Sequence, residues 1–101
     1  MNTTKKTNKH VIHLALDNSN TFKYLKAHLV ADFGAYTLTE AVGGWFDVDK
    51  KETVQETSYT IIIYGFDDDD INNFCERALK FYGQTEIIYT SELITYNSIT
   101  S

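Results

Sequence analysis

The sequence predicts an α+β domain in which two helices cover one face of a four-stranded antiparallel sheet. Three features of the 101-residue chain carry this prediction. Segments with apolar residues at every second position alternate with segments in which apolar residues recur every three to four positions, which are the periods of strands and helices. The segments follow the order strand, helix, strand, strand, helix, strand. The second and third strands adjoin through a polar tip, which predicts a long hairpin.

The first half of the chain contains one strand, one helix and a second strand. Residues 1–9 are polar and are predicted to form a flexible arm, whereas His10 to Leu16 alternates as a strand. The residues 17–21 are typical of a helix N-terminus, and apolar positions at helical spacing extend from Phe22 to Phe33. Gly34 stands where a left-handed C-terminal cap is expected. Ala35 to Val42 alternates again and is the second strand.

The second half repeats the pattern. Gly43-Gly44 predicts a bulge or bend, residues 47–52 form the polar tip, and Thr53 to Tyr64 is the third strand. Asp67 to Asp70 opens a helix whose apolar stripe runs to Tyr82, with Gly83 as its stop. Glu86 to Thr90 is the fourth strand, and residues 91–101 are predicted to add a short edge strand followed by a frayed end at 97–101. Two strand–helix–strand halves of this kind form a ferredoxin-like βαββαβ plait.

Composition limits the function classes. A single domain is expected at residues 10–96. The whole chain has a net charge of −5, which argues against a broad phosphate-binding surface and makes a nucleic-acid partner unlikely. No apolar run reaches the roughly 20 residues needed to span a bilayer, so no membrane partner is expected. Cys75 has no second cysteine to pair with, and a reducing cytoplasm is the expected compartment.

Candidate chemical groups are few, and no cofactor is expected. Asp68, Asp69 and Asp70 could hold a divalent cation, but their position at a helix start is better explained by the helix dipole. Histidines at positions 10, 13 and 28 have no evident third partner. Cys75 lies in an apolar stripe, where burial makes a thiol a poor nucleophile. We therefore expect no metal, and a catalytic role is the less favoured alternative.

The apolar third strand is the better clue to function. Ile61-Ile62-Ile63-Tyr64 has large apolar side chains on both faces, so both faces need a cover. The helices can cover one face, and a partner or another copy of the chain must cover the other. The predicted binding surface consists of five side chains: Trp45, Phe46, Tyr59, Ile62 and Tyr64.

The hairpin also carries a family resemblance. Gly44-Trp45-Phe46, the acidic stretch Lys51 to Glu56 and the strand Tyr59 to Tyr64 resemble the corresponding segment of the CutA and PII-like group of trimeric ferredoxin-like proteins. The resemblance covers residues 10–90. This sequence lacks the proline-containing C-terminal strand of that group, and none of its residues can be matched to a ligand-binding residue of the group. The resemblance implies oligomerisation through the sheet more than it implies metal or nucleotide binding.

Three functional hypotheses follow. The first is a non-catalytic cytoplasmic interaction module that self-associates through its sheet and hairpin and binds a protein or small-molecule partner. The second is an enzyme of the dimeric α+β-barrel type, with His13 as the base in a cavity between two sheets and Tyr64 beside it. The third is an acidic decoy that inhibits a nucleic-acid-binding protein through Asp47, Asp49 and Asp67 to Asp70. The third requires these carboxylates to share one surface.

Overall fold

The computed structural model describes residues 2–16 and 19–101 and confirms the predicted ferredoxin-like plait. Four antiparallel strands form one sheet in the order β2-β3-β1-β4, and the first strand therefore lies inside the sheet, between the third and the fourth. The elements are β1 (Asn2–Ala15), α1 (Ser19–Phe33), β2 (Thr37–Asp47), β3 (Glu52–Tyr64), α2 (Asp68–Phe81) and β4 (Ile88–Ile99).

The hydrophobic core lies between the helices and one face of the sheet, which we call the inner face. Because strand side chains alternate, Ile12 and Leu14 of β1 share this face, as do Ile61 and Ile63 of β3. The helices cover them with a set of buried side chains: Leu25, Leu29 and Phe33 of α1, and Ile71, Phe74, Cys75 and Ala78 of α2. Removing this apolar area from water is the main force that holds the two layers together.

Capping fixes the ends of α2. Asp67 is the N-cap, and its Oδ1 accepts a hydrogen bond of 2.9 Å from the backbone N–H of Asp70, as the sequence predicts. The three aspartates that follow lie in the first turn, where negative charge complements the helix dipole. At the other end, Gly83 adopts a φ of 64°, the left-handed conformation that glycine tolerates best. For α1, residues 17 and 18 of the predicted N-terminal cluster lie outside the described residues.

The strands are staggered, so that two two-stranded ribbons project from opposite ends of the sheet. All four strands are paired only where Val11–His13 of β1 faces both neighbours. From the row in which Ala15 pairs with Ser58, β2 and β3 extend past the end of β1 as a two-stranded ribbon of residues 41–58, which we call the hairpin ribbon. Beyond Lys9, β1 and β4 continue alone as residues 2–8 and 93–99, which we call the terminal ribbon.

The terminal ribbon differs from the expected flexible arm and frayed end. Residues 2–9 belong to β1, and residues 97–99 belong to β4, because Asn2 pairs with Ile99 and the register continues without a break to His13. The strand signal in residues 2–9 was missed because this segment is polar throughout, so it lacks the apolar alternation by which strands are recognised. The exact limits of the single domain remain a prediction.

The ribbons make the molecule long for its size. Its extents are 56 × 25 × 24 Å and its radius of gyration is 16.0 Å, whereas a compact domain of this length has a radius near 13 Å. The expected bulge at Gly43-Gly44 is absent, since the β2–β3 register is continuous from Thr37 to Asp47. Within the described part of the chain, neither helix has the length and apolarity that crossing a membrane requires.

Candidate binding surface on the outer sheet face

The sheet face opposite the helices carries apolar and aromatic side chains that no other described part of the chain covers. We call it the outer face. Alternation from the buried inner residues assigns it Ile62 and Tyr64 of β3, and the cross-strand register adds neighbours from β1 and β4. Tyr64 is 52% exposed and Ile88 is 55% exposed. The apolar and aromatic outer residues of the four-stranded region and terminal ribbon are Val11, Ile62, Tyr64, Ile88, Ile94 and Tyr96.

One end of the outer face contains a groove of about 430 Å³, lined by Thr7, Tyr64, Gly65, Ile94 and Tyr96. Gly65 shapes it, because a φ of 92° turns the chain sharply after β3 and its N–H donates to the carbonyl of Asn8 at 2.9 Å. Tyr64 and Tyr96 therefore stand on either side of a mainly apolar channel over β1. A channel of this kind accepts a flat apolar group.

The five residues predicted for the binding surface do not lie together. Trp45 pairs with Val54 on the outer face of the hairpin ribbon and is 51% exposed, but Phe46, its neighbour in sequence, points to the opposite face. Tyr59 is 6% exposed on the inner face, where its ring stacks on Phe22 at 5.0 Å between centroids. Tyr59 is thus part of the core, and its assignment to the binding surface is corrected.

The pair proposed for an inter-sheet active site is also separated. His13 and Tyr64 both lie on the outer face, but His13 pairs with Thr60 and Tyr64 pairs with Lys9. Four residues of β3 separate the two rows, which is roughly 13 Å at the strand rise per residue. Within one chain, His13 and Tyr64 therefore do not act on the same atom.

The sequence predicts no role for His10, whereas the structure makes it a buried polar residue of the inner face. It is fully buried, its Nδ1 lies 2.6 Å from the Ser91 hydroxyl, and its Nε2 contacts the carbonyl oxygen of Phe66. A carbonyl only accepts, so Nε2 carries the proton and Nδ1 accepts from Ser91. Asp68 Oδ1 is 3.7 Å from Nδ1. The signal was available, since His10 has the same parity as Ile12 and so faces the core.

A second cluster lies on the helix side of the molecule. Arg77 of α2 forms an ion pair with Asp32 of α1, with 2.6 Å between Nη2 and Oδ2. Beside it, His28 Nδ1 is 3.0 Å from the Tyr82 hydroxyl. The imidazole ring of His28 also makes a T-shaped contact with the ring of Phe81. A cavity of about 220 Å³ lies between the two helices here. Burial raises the pKa of Tyr82 to about 12, so its hydroxyl stays protonated at neutral pH.

The carboxylates of the acidic-decoy hypothesis lie at opposite ends of the molecule. Asp47 and Asp49 are at the hairpin tip, where Asp47 Oδ1 accepts hydrogen bonds from the N–H groups of Asp49 and Lys50. Asp67 to Asp70 follow the far end of β3, which is 13 residues long and therefore roughly 40 Å away. Among the residues that the structure describes, no three histidine, cysteine or acidic side chains are grouped closely enough to hold a metal ion.

Cys75 is a core residue. It is buried in α2, and burial raises the pKa of its thiol to about 11. Little thiolate is present at neutral pH, so Cys75 is a weak nucleophile.

Comparison with solved structures identifies the fold and not the family. The sequence matches no protein-family model and no curated protein. A phage SAM lyase in complex with S-methyl-5'-thioadenosine has a TM-score of 0.66 at 14% identity, with 93% of this chain and 90% of that chain covered. The apo form of CPII from Thiomonas intermedia K12, a nitrogen regulatory PII-like protein, has a TM-score of 0.62 at 14% identity, covering 98% and 100%.

Two further structures extend the comparison. The divalent cation tolerance protein CutA from Archaeoglobus fulgidus has a TM-score of 0.59 at 7% identity and covers 85% of this chain and 81% of that one. GlnK of B. subtilis, solved with ATP, has a TM-score of 0.57 at 19% identity, covering 84% and 83%. The fold resemblance to CutA and PII-like proteins expected from the hairpin is confirmed.

Proposed function

We propose that the protein is a self-associating module that binds a cationic adenine nucleoside, S-adenosylmethionine (SAM), on the outer face of the hairpin ribbon. One arrangement of residues carries the proposal. On the outer face, Glu56 stands opposite Gly43, and Trp45 is the next outer residue along β2. A carboxylate and an indole ring thus flank a position that has no side chain.

This arrangement suits a sulfonium ion. Glu56 is exposed and diagonal to Trp45 across the two strands, a relation in which the Cα atoms lie about 7–8 Å apart. A cation between them gains Coulomb attraction from the carboxylate and the electrostatic attraction of the aromatic face, of which indole gives the strongest. Gly43 leaves the room that a third side chain would fill.

The adenosine part of the proposal comes from the fold comparison. The phage SAM lyase was solved with S-methyl-5'-thioadenosine, CPII with ADP, AMP and bicarbonate, and GlnK with ATP. Because these chains are less than 20% identical to this one, the likeness is in fold, and their ligands support the ligand class without assigning residues.

Charge favours SAM over a nucleoside triphosphate. The chain has a net charge of −5, and its only arginine, Arg77, is paired with Asp32 on the helix side. Recognition of a triphosphate uses clustered arginine and lysine or a glycine-rich loop at a helix start, and the sequence has neither. SAM has a single net positive charge, which an acidic site attracts.

Self-association rests on the uncovered outer face. Exposed Ile88 and Tyr96 and half-buried Ile94 lie on the outer face of β4, and two-stranded ribbons such as the two that project here are at best marginally stable in water alone. Packing against further copies of the chain provides the missing cover. The proposed role is binding, and the compartment we expect is the cytoplasm.

Calorimetric titration with SAM, S-methyl-5'-thioadenosine and ATP tests the ligand class. We expect SAM to bind at least tenfold more tightly than ATP. Glu56→Gln is expected to weaken SAM about tenfold, the equivalent of 1.4 kcal/mol, and to leave the neutral thioether unchanged. Glu92→Gln, which removes an exposed carboxylate elsewhere on the outer face, is the matched control. Equal binding of ATP and SAM, or equal effects of the two variants, contradicts the proposal.

A second candidate function is cleavage of SAM. It is favoured by the comparison with the phage SAM lyase, which is matched over nearly the whole length of both chains. In this case the carboxylate of the amino acid part of bound SAM attacks its own γ-carbon. A carbon–oxygen bond forms and closes a lactone, while the carbon–sulfur bond to the same carbon breaks with its electron pair returning to sulfur, which releases S-methyl-5'-thioadenosine. Chromatography of SAM incubated with the protein distinguishes the candidates, because binding alone leaves the nucleoside intact.

A further inference from the structure

The two ribbons have opposite charge. The hairpin ribbon, residues 41–58, carries four carboxylates (Asp47, Asp49, Glu52 and Glu56) against two lysines (Lys50 and Lys51), a net charge of −2. The terminal ribbon, residues 2–8 and 93–99, carries Lys5 and Lys6 and no acidic residue, a net charge of +2. The ribbons project from opposite ends of the sheet. The molecule is therefore electrostatically polar along its long axis.

Each ribbon also carries one half of an apolar contact on the outer face. The hairpin ribbon presents Trp45, half exposed, and the terminal ribbon forms much of the groove between Tyr64 and Tyr96. The two cannot meet within one chain. Trp45 pairs with Val54, while the groove residue Ile94 pairs with Thr7, which lies beyond the end of β3. At the strand rise per residue, these rows are roughly 40 Å apart.

From these observations we infer that copies of the chain associate head to tail. The acidic hairpin ribbon of one copy docks on the basic terminal ribbon of the next, and Trp45 enters the groove between Tyr64 and Tyr96. The occupant is a second copy because the negative charge and the aromatic side chain that complement this end of the molecule, those of the hairpin ribbon and Trp45, are both found at the opposite end of the same chain. A contact between two different patches of this kind is heterologous, so every copy has both halves free to engage.

This inference rests on the self-association in the proposed function and adds a consequence for its site. Trp45 and Glu56 are close neighbours on the hairpin ribbon, so docking places the groove residues of the next copy beside the proposed sulfonium position. The proposed ligand site is then completed by the second copy, and ligand binding and association depend on each other.

The tryptophan itself reports the docking, because Trp45 is the only tryptophan in the chain. Burial in the groove shifts its fluorescence to shorter wavelength as protein concentration rises. Ile94→Glu changes the groove and leaves residue 45 intact. We expect Trp45 in this variant to have the emission and quencher accessibility of an exposed indole. Because Ile94 and Trp45 of one chain are far apart, such a change reports contact between copies.

Charge exchange tests the orientation. Light scattering of the full chain is expected to give a mass of more than one copy. The pair Lys5→Glu and Lys6→Glu, and separately the pair Asp49→Lys and Glu52→Lys, should each reduce the mass to one copy by making both ribbons alike in charge. Combining all four substitutions exchanges the two charges, retains the net charge of −5, and should recover the original mass and emission.

The outcomes separate this inference from the proposed function. An assembly that persists in both paired variants, or an unchanged Trp45 emission in Ile94→Glu, overturns head-to-tail docking and leaves self-association by another surface in place. A mass of one copy at every concentration overturns both. Circular dichroism of each variant verifies that it is folded. If the fourfold variant does not fold, the emission of Ile94→Glu decides the question without it.

Discussion

His10 is buried and Ser91 is exposed, and they meet 2.6 Å apart between Nδ1 and Oγ on paired residues of β1 and β4. Since His10 also contacts the carbonyl of Phe66, one imidazole joins the first strand, the last strand and the connection from β3 to α2. It closes the inner face just where the core ends and the terminal ribbon begins.

Loss of this contact is the first prediction. Ser91→Ala removes one part-buried hydrogen bond and leaves Nδ1 of the buried His10 without this donor, so we expect the free energy of unfolding to fall by about 1–2 kcal/mol. His10→Ala also opens a cavity and should cost about 2–4 kcal/mol. Urea unfolding of both variants measures the costs. His13→Ala, an exposed histidine three residues away, is the control, and an equal loss in this variant would contradict the assignment.

Alkaline pH provides the second prediction. The pKa of Cys75 is raised by burial from 9.0 to about 11 in the folded protein, so the unfolded chain ionises first as pH increases. Its contribution to stability is complete below pH 9 and is lost as pH rises toward 11. For a shift of this size the loss is at most about 2–3 kcal/mol. Unfolding of Cys75→Ala at pH 8 and pH 10.5 should show a smaller decline than the unmodified chain, and an identical decline would exclude Cys75 as its source.

The third prediction concerns the start of α2. Asp67→Ala removes the acceptor of the Asp70 N–H and should destabilise the protein by about 1 kcal/mol. Asp69→Asn retains the cap and removes only one charge from the first turn, so its cost should be at most a few tenths. Thermal unfolding of the two variants, with and without calcium, separates the capping role from a cation site. Calcium-dependent stability that disappears in Asp69→Asn would favour the cation site.

Gly65 provides the fourth prediction. With φ at 92°, Gly65→Ala forces a side chain into a conformation that costs about 1–2 kcal/mol, although the space around its Cβ is open, with Thr7 Oγ1 the nearest atom at 3.7 Å. Gly43→Ala is the matched control, because its backbone is ordinary and a Cβ there has contacts of 3.7 Å or more. We expect Gly43→Ala to leave stability unchanged or to raise it slightly. Equal losses at the two positions would contradict this account of the turn.

The sequence predicted the architecture well because period and order together define this fold. Alternation placed Ile61 and Ile63 opposite Ile62 and Tyr64, and the structure has them so. The assignment of Tyr59 to the binding surface was wrong, because Tyr59 has the same parity as Ile61 and Ile63 and lies in the core. It was chosen because it is aromatic, and its position in the alternation was not considered. The terminal ribbon was missed because Asn2 to Lys9 is polar, and only pairing with residues some ninety positions later reveals it as a strand.

The relative positions of the exposed aromatic residues were not predicted, for a related reason. Trp45 and Tyr64 were chosen individually as exposed aromatics, and both are half exposed on the outer face. Their separation depends on the stagger between β1 and β3, and no local pattern encodes a stagger. The same applies to the groove, whose walls come from three strands.

The pairing of β1 with β4 has a consequence for how the chain folds. Because residues from Asn2 to His13 pair with β4, the inner strand β1 obtains its second neighbour only from β4, which follows it by more than seventy residues. Contacts between such distant residues slow folding, since a large loop must close before they form. During translation, one edge of β1 therefore stays unpaired until β4 has left the ribosome, and a chain without β4 would expose the edge of a strand that lies inside the complete sheet.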